Sequence, residues 1–264
     1  MLQKINRYFQ GYIVDLDGTI WMAEAIIPGA AEMVSALRKR GRRIIFLTNN
    51  SDGTRNMFAN QLSEMGIPAV PDEIVSTAYV TARYLREQAP GCRCYVIGAD
   101  PMREELCQAG FKLRDRPGDI DYVVLGIDRD FTYHKLQTAF EAIRAGARFI
   151  ATNPDPYYPS ARGDLADIGA EIAAIETATF HKLDKLVGKP DPYIVNIALD
   201  AIGLPKEACL MVGDQLGTDV MAAQRAGLKV ALFLRDPLVV EKLINWPNPP
   251  DYGLSRLTDL IVEE

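Results

Sequence analysis

The amino-acid sequence predicts an α/β fold: a doubly wound parallel sheet that carries a smaller inserted α/β domain. Two observations predict it. Short apolar runs alternate with stretches of helical periodicity along nearly all 264 residues, the pattern of repeated strand–helix–strand units. The residues that can carry chemistry fall in two clusters with a long gap between them, yet no Ser- or Pro-rich linker divides the chain. A second domain is therefore an insertion with short entry and exit. Position along the chain alone does not reveal it; the spacing of the two clusters does.

The elements follow in order. Residues 11–16 form an apolar run, read as a buried strand. Ala30, Met33, Val34 and Leu37 recur at helical spacing, and Gly41 closes that helix. Residues 43–47 make the next strand, and Phe58, Leu62 and Met65 mark a helix that stops at Gly66. A strand at 95–97 precedes a helix read as capped by Asp100, with Pro101 at its first position. Then come a strand at 121–127, a helix through Leu136, Ala139, Phe140 and Ile143 ending at Gly146, and a strand at 149–152. Residues 161–170 are a candidate loop facing the substrate. The last third offers a helix around Ile194, Ile197 and Ala198, a strand at 209–212, a helix at 218–226 and a strand at 229–234.

Composition excludes several function classes. Hydrophobic residues make up 48%, enough for a packed core in a soluble enzyme. The net charge of −6 lacks the clustered basic face that nucleic acid demands. No apolar run reaches the roughly 18 residues that span a bilayer, and residues 1–10 lack the apolar core of a signal peptide. The expected location is the cytoplasm. The four cysteines read as reduced thiols, since Cys92 and Cys94 are too close for a relaxed disulfide. Neither His134 nor His181 has a neighbour at zinc-ligand spacing, so both read as structural or surface residues.

Four motifs stand at strand ends. Asp15-Leu16-Asp17-Gly18-Thr19 closes the first strand, at the edge where open α/β sheets bind ligands. Residues i and i+2 of a strand point the same way, so Asp15 and Asp17 can face one site. Two such close carboxylates need a cation or a shared proton; the plainer alternative is a surface turn. Thr48-Asn49-Asn50-Ser51 follows the second strand and offers a hydroxyl and backbone N–H groups for phosphate oxygens. Lys189, in Gly188-Lys189-Pro190, can neutralise charge shared by phosphate and carboxylate, or be a solvated loop lysine. In Gly213-Asp214-Gln215-Leu216-Gly217-Thr218-Asp219, Asp214 occupies on its strand the place Asp15 holds on its own. Asp219 near the helix start can also serve the helix dipole.

In this order the four motifs resemble those of the haloacid dehalogenase superfamily of phosphotransferases. The likeness runs from residue 11 to about residue 234. The stretches Leu47-Thr-Asn-Asn50, Ala151-Thr-Asn-Pro-Asp155 and Val187-Gly-Lys-Pro190 are similar to the NagD-like and AraL-like branch, class IIA, with a type-2 cap. The resemblance implies a Rossmann-like core over residues 1–80 and 185–264 and an inserted cap over 81–184. It implies a Mg2+-dependent phosphatase in which Asp15 is the nucleophile and Asp17 the acid and base. Asp15, Asp17 (through its backbone carbonyl) and Asp214 would hold the metal. Thr48, Asn49 and Lys189 would hold the phosphoryl group, and Asp219 would orient the metal's surroundings.

Asn153, Asp155 and Tyr157 follow a cap strand and are candidates for reading the substrate, or else a Pro-rich turn formed with Pro154, Pro156 and Pro159. The expected substrate is a small phosphorylated metabolite, a sugar phosphate before others, with p-nitrophenyl phosphate also accepted. A nucleotide or phosphoglycolate phosphatase of the same branch, a phosphomutase, and a phosphate-binding regulatory protein on the same scaffold are the alternatives. No nucleic-acid or membrane partner is expected; a homodimer is compatible with this branch.

Overall fold

The computed structural model describes residues 2–23, 25–160 and 163–262. The chain forms two compact units. The first comprises Met1–Thr48, Asn56–Val75 and Lys189–Glu264; the second comprises Asn49–Arg55 and Ser76–Gly188.

A six-stranded sheet runs through the first unit. Its spatial order is Tyr252–Leu254, Lys229–Phe233, Cys209–Gly213, Gly11–Asp15, Arg43–Thr48, Ile74–Ser76. Numbered along the chain this is 6-5-4-1-2-3, the doubly wound order expected from the sequence. Gly11–Asp15 lies at its centre and pairs in parallel with both neighbours. Every residue of that strand is buried, because helices cover both faces and leave no side open to water. Tyr12, Val14, Phe46 and Val212 pack with Met33, Leu37, Phe58 and Leu62 of the helices Ala30–Lys39 and Arg55–Glu64. The alternate residues Ile13, Ile45, Leu47 and Met211 are equally buried on the other face. The two helices end where the sequence suggests: Gly41 and Gly66 take positive φ, which side chains resist.

The second unit holds a five-stranded sheet of order Lys185–Leu186, Arg148–Ala151, Tyr122–Leu125, Arg93–Ile97, Lys112–Leu113. All its neighbouring strands are parallel. Period-2 alternation divides it into two cores. Tyr95, Ile97, Val123, Leu125 and Phe149 pack against Ala139, Ala142, Ile143 and Ile175 of the helices Tyr133–Arg144 and Gly169–Thr179. Cys94, Val96, Tyr122, Val124 and Ile150 pack against Ala78, Ala82, Leu85, Met102 and Leu106 of the helices Thr77–Gln88 and Asp100–Gln108. The four cysteines are free, and His181 pairs with Asp184 at 2.9 Å on the surface. No described helix is long and apolar enough to cross a membrane.

Two local expectations change. Asp100 is the first residue of its helix and not its cap; Ala99 holds the cap position without a side-chain bond. Pro101 in the first turn, rather than a capping carboxylate, sets the start. The loop expected over 161–170 is largely regular. Gly163–Ala166 pairs antiparallel with Tyr157–Ser160, and the helix Gly169–Thr179 follows; residues 161–162 lie outside the described residues.

Glu171 lies in the first turn of that helix. Its Oε2 is buried and has no hydrogen-bond partner. Burial, then repulsion by Asp128 and Asp167, pushes its carboxyl from 4.5 up to about 7, against the pull of Lys135. A raised carboxyl pKa favours folding below the unfolded value, and that contribution is lost as pH rises through the folded one. Glu171→Gln should therefore match the parent's Tm near pH 4.5 and exceed it at pH 8, by calorimetry. A constant offset across that range would contradict the assignment.

Candidate active site

The parallel register brings the motif residues of the first unit to one edge of its sheet. Asp15 ends the central strand level with Leu47, which puts Thr48 one step beyond. On the other side Val14 is level with Val212, which puts Asp214 just past the strand end. Gly18 turns the chain with φ 89°, and a Cβ there would run into the Asp214 carboxylate. Glycine is thus required twice over, for its backbone angle and for the close approach.

Asp15, Asp214 and Asp219 present carboxylate oxygens within 4.8 Å of one another, all three side chains buried. At that spacing each like-charged pair repels by at least about 3 kcal/mol, taking an effective dielectric constant of about 20. Lys189, itself buried, answers part of this charge. Its Nζ bonds to Asp15 and lies 2.7 Å from Asp219 Oδ1. Burial disfavours its charge, but the two carboxylates outweigh that and hold the ammonium protonated. Burial, then the Asp219 charge, raises Asp15 well above the usual carboxylate range, while Lys189 pulls it down. Burial and Asp219 likewise push Asp214 up to about 7, against Lys189 and the more distant Arg235 at 3.7 Å.

Asp219 reaches this cluster from the turn after the strand. A helix was expected from residue 218; instead Leu216–Val220 forms a wide π turn, with α-helix only from Met221 to Ala226. The widening has a cause on the spot. Asp219 Oδ2 accepts from the backbone N–H groups of Asp214 and Gln215, at 3.1 and 3.0 Å, which draws the turn back onto the strand end. Both Asp219 oxygens are thereby engaged. Asp214 Oδ1 differs: it is buried and has no hydrogen-bond partner.

Asp17 is exposed and lies at the mouth of this edge. Its carboxylate accepts from Thr48 Oγ1 at 3.0 Å and from Trp21 Nε1 at 2.9 Å.

Known proteins resemble this chain in sequence and fold. A family model described as haloacid dehalogenase-like hydrolase matches residues 12–112, and a second, HAD-hydrolase-like, matches 186–260. An acid sugar phosphatase of Staphylococcus aureus is 35% identical over 257 residues, 97% of this chain and 98% of that protein. The chain belongs to the haloacid dehalogenase-like hydrolase family. Its fold superposes on a 4-nitrophenylphosphatase of Thermotoga maritima with TM-score 0.90, at 32% identity over 96% of each chain. A protein assigned to nagD superposes with TM-score 0.85, at 31% identity over 95% of this chain and 96% of that one. The hydrolase is of the NagD-like branch.

The buried triad fits a divalent cation. Three carboxylates outnumber the buried ammonium of Lys189 and the guanidinium of Arg235 beside them, and Asp214 Oδ1 is an oxygen ligand with no hydrogen-bond partner.

The remaining sequence candidates lie in the second unit. Asn49 gives its Nδ2 to Asp155 Oδ2 at 3.4 Å, and its carbonyl accepts from Thr77 Oγ1 at 2.7 Å. Asn153 is buried; its Nδ2 donates to Asp155 Oδ2 at 3.1 Å and to Asp167 Oδ2 at 2.9 Å. Tyr157 begins the hairpin and is 56% exposed. The sequence pattern singles out neither Trp21 nor Arg235, and reaches Asp167 only as part of the loop expected over 161–170. Trp21 left a signal that could have been used: an indole four residues after an acid, across a Gly-Thr turn.

Gly213 shows how tightly the strand end is fitted. A Cβ there would overlap the Asp219 carboxylate, whereas one on Gly217 would meet nothing within 4 Å. Gly213→Ala should displace Asp219 and lower kcat at least about a hundredfold, while Gly217→Ala stays within about twofold. Steady-state kinetics of both variants decides, and equal effects would refute the fit described.

Proposed function

We propose that this hydrolase is a magnesium-dependent phosphatase that cleaves phosphate monoesters of small metabolites through an aspartyl-phosphate on Asp15. One observation carries the reading: three buried aspartates converge at adjacent strand ends with a single lysine to offset them.

Asp15 attacks phosphorus in line with the leaving alkoxide, and the new bond is its aspartyl-phosphate. Asp17 gives the alkoxide its proton, then takes one from the water that cleaves the intermediate. Thr48, Lys189 and the Asn49 backbone, next along the chain, hold the phosphoryl oxygens. Asp15 and Asp214, with the Asp17 carbonyl, would bind Mg2+, which supplies neutralising charge for the phosphoryl group. Asp219 orients this set through Lys189 and the two backbone amides it accepts from. Phosphoryl transfer has a loose transition state, so positioning and charge neutralisation are the main demands.

The second unit corresponds in this reading to the type-2 cap, and Asn153, Asp155 and Tyr157 read the part of the substrate beyond the phosphate. A sugar phosphate is the favoured substrate, in line with the acid sugar phosphatase that the chain is similar to over nearly its full length.

Three outcomes test this. Chelation should abolish hydrolysis of p-nitrophenyl phosphate and Mg2+ should restore it, with Ca2+ much poorer because its looser shell misplaces the phosphate. Asp15→Asn should lose several orders of magnitude in kcat and trap no phosphoenzyme; full activity in excess chelator would refute the metal's role. Separately, Asp155→Ala or Tyr157→Ala should shift the ratio of kcat/KM for a sugar phosphate over p-nitrophenyl phosphate. A lost polar contact to a substrate hydroxyl is worth roughly 1–3 kcal/mol of discrimination. If both rates fall with the ratio constant, these residues only shape their own unit.

A further inference from the structure

We infer that Trp21 is a positioning residue for Asp17, holding its carboxylate through the turn of substrate binding. The inference rests on the acid–base role proposed above for Asp17.

The observation is a hydrogen bond of 2.9 Å from the Trp21 indole N–H to Asp17 Oδ1. The turn that makes it is tightly closed. Gly18 N–H donates to the Trp21 carbonyl at 2.7 Å, and Trp21 N–H donates to the Leu16 carbonyl at 3.1 Å. Trp21 then opens a short hairpin in which it pairs with Ile26. Its side chain is 2% exposed and belongs to the first unit's apolar core. An indole fixed on all other sides has one polar atom, a donor with no acceptor capacity, and that atom points at the acid.

Asp17 has a second hold, the hydroxyl of Thr48, which donates to Oδ2 at 3.0 Å. A threonine hydroxyl has a single hydrogen to give. Thr48 cannot donate to Asp17 and to a phosphate oxygen at once, so substrate binding takes this hold away. Among the described residues the indole N–H has no acceptor but Asp17. It keeps Asp17 in place while Thr48 turns to the phosphate, so that the carboxyl faces the leaving oxygen.

The test separates this from a packing role. Trp21→Phe removes the donor, and because it also removes volume a second protein is needed. That protein carries benzothienylalanine at position 21, introduced in a Trp246→Phe background, since the chain has two tryptophans. The sulfur analogue keeps the ring shape without the N–H. Both should lower kcat for an alkyl phosphate about tenfold to a hundredfold, the usual range for a hydrogen bond to a charged group. The loss for p-nitrophenyl phosphate, whose leaving group hardly needs a proton, should be several-fold smaller, and KM should stay within about twofold. In an Asp17→Asn background the same replacements should cost less than about twofold more. Equal losses for both esters, or full additivity with Asp17→Asn, overturn the role of Trp21 alone. If Asp17→Asn itself hurts both esters equally, the acid–base reading of Asp17 falls, and this inference with it.

Discussion

The ammonium of Lys189, shared between Asp15 and Asp219, is the interaction on which the strand-end geometry of the first unit depends. Removing one partner of a buried ion pair typically costs 3–5 kcal/mol, because the other charge is left uncompensated. Here the consequence spreads. Asp219 also accepts from the amides of Asp214 and Gln215 and sets the π turn that follows. The lysine therefore fixes backbone as well as charge, and it joins three stretches of chain far apart in sequence. Even with Arg235 3.7 Å from Asp214, the carboxylates of the buried cluster outnumber the cations around them. A fold selected only for stability would not keep that excess, since burial already raises both Asp15 and Asp214. The excess is a stored demand for a cation.

The polar residues of the second unit make a useful contrast. Asn49, Asn153, Asp155 and Asp167 are joined by donor–acceptor pairs in which amide hydrogens meet carboxylate oxygens. Hydrogen bonds of this kind rigidify their surroundings. In the first unit the three carboxylates lie within 4.8 Å of one another and Asp214 Oδ1 has no hydrogen-bond partner.

Much of this was legible in the residues themselves. Buried parallel strands need continuous apolar runs, and Gly11–Asp15, Arg43–Thr48 and Cys209–Gly213 have them. A strand ending abruptly in acids is hard to explain otherwise, so Asp15 and Asp214 stood out. What escaped notice was short or locally disguised. Tyr252–Leu254 is a three-residue edge strand with a central glycine, too brief for any period to register. Helix Thr77–Gln88 buries Thr77, Ala78, Thr81 and Ala82, small residues that leave a faint apolar stripe. The hairpin 157–166 contains Pro159, which reads as a loop because proline usually leaves strands. Trp21 escaped because its function comes from a turn closing on itself, a property of backbone geometry rather than residue pattern.

The order in which the chain emerges from the ribosome gives the split first unit a further consequence. Lys189 follows Asp15 by 174 residues. At common synthesis rates of about 5–20 residues per second, the central strand waits on the order of ten seconds for its lysine, and longer for its Cys209–Gly213 neighbour. Residues 76–188 are by contrast continuous, and can collapse while the first unit is incomplete. During that interval the Gly11–Asp15 strand, apolar on both faces, has one edge with no partner, the condition under which strands pair with the wrong chain. Destabilising changes near residue 209 would prolong that exposure and act on the yield of folded protein before they act on turnover.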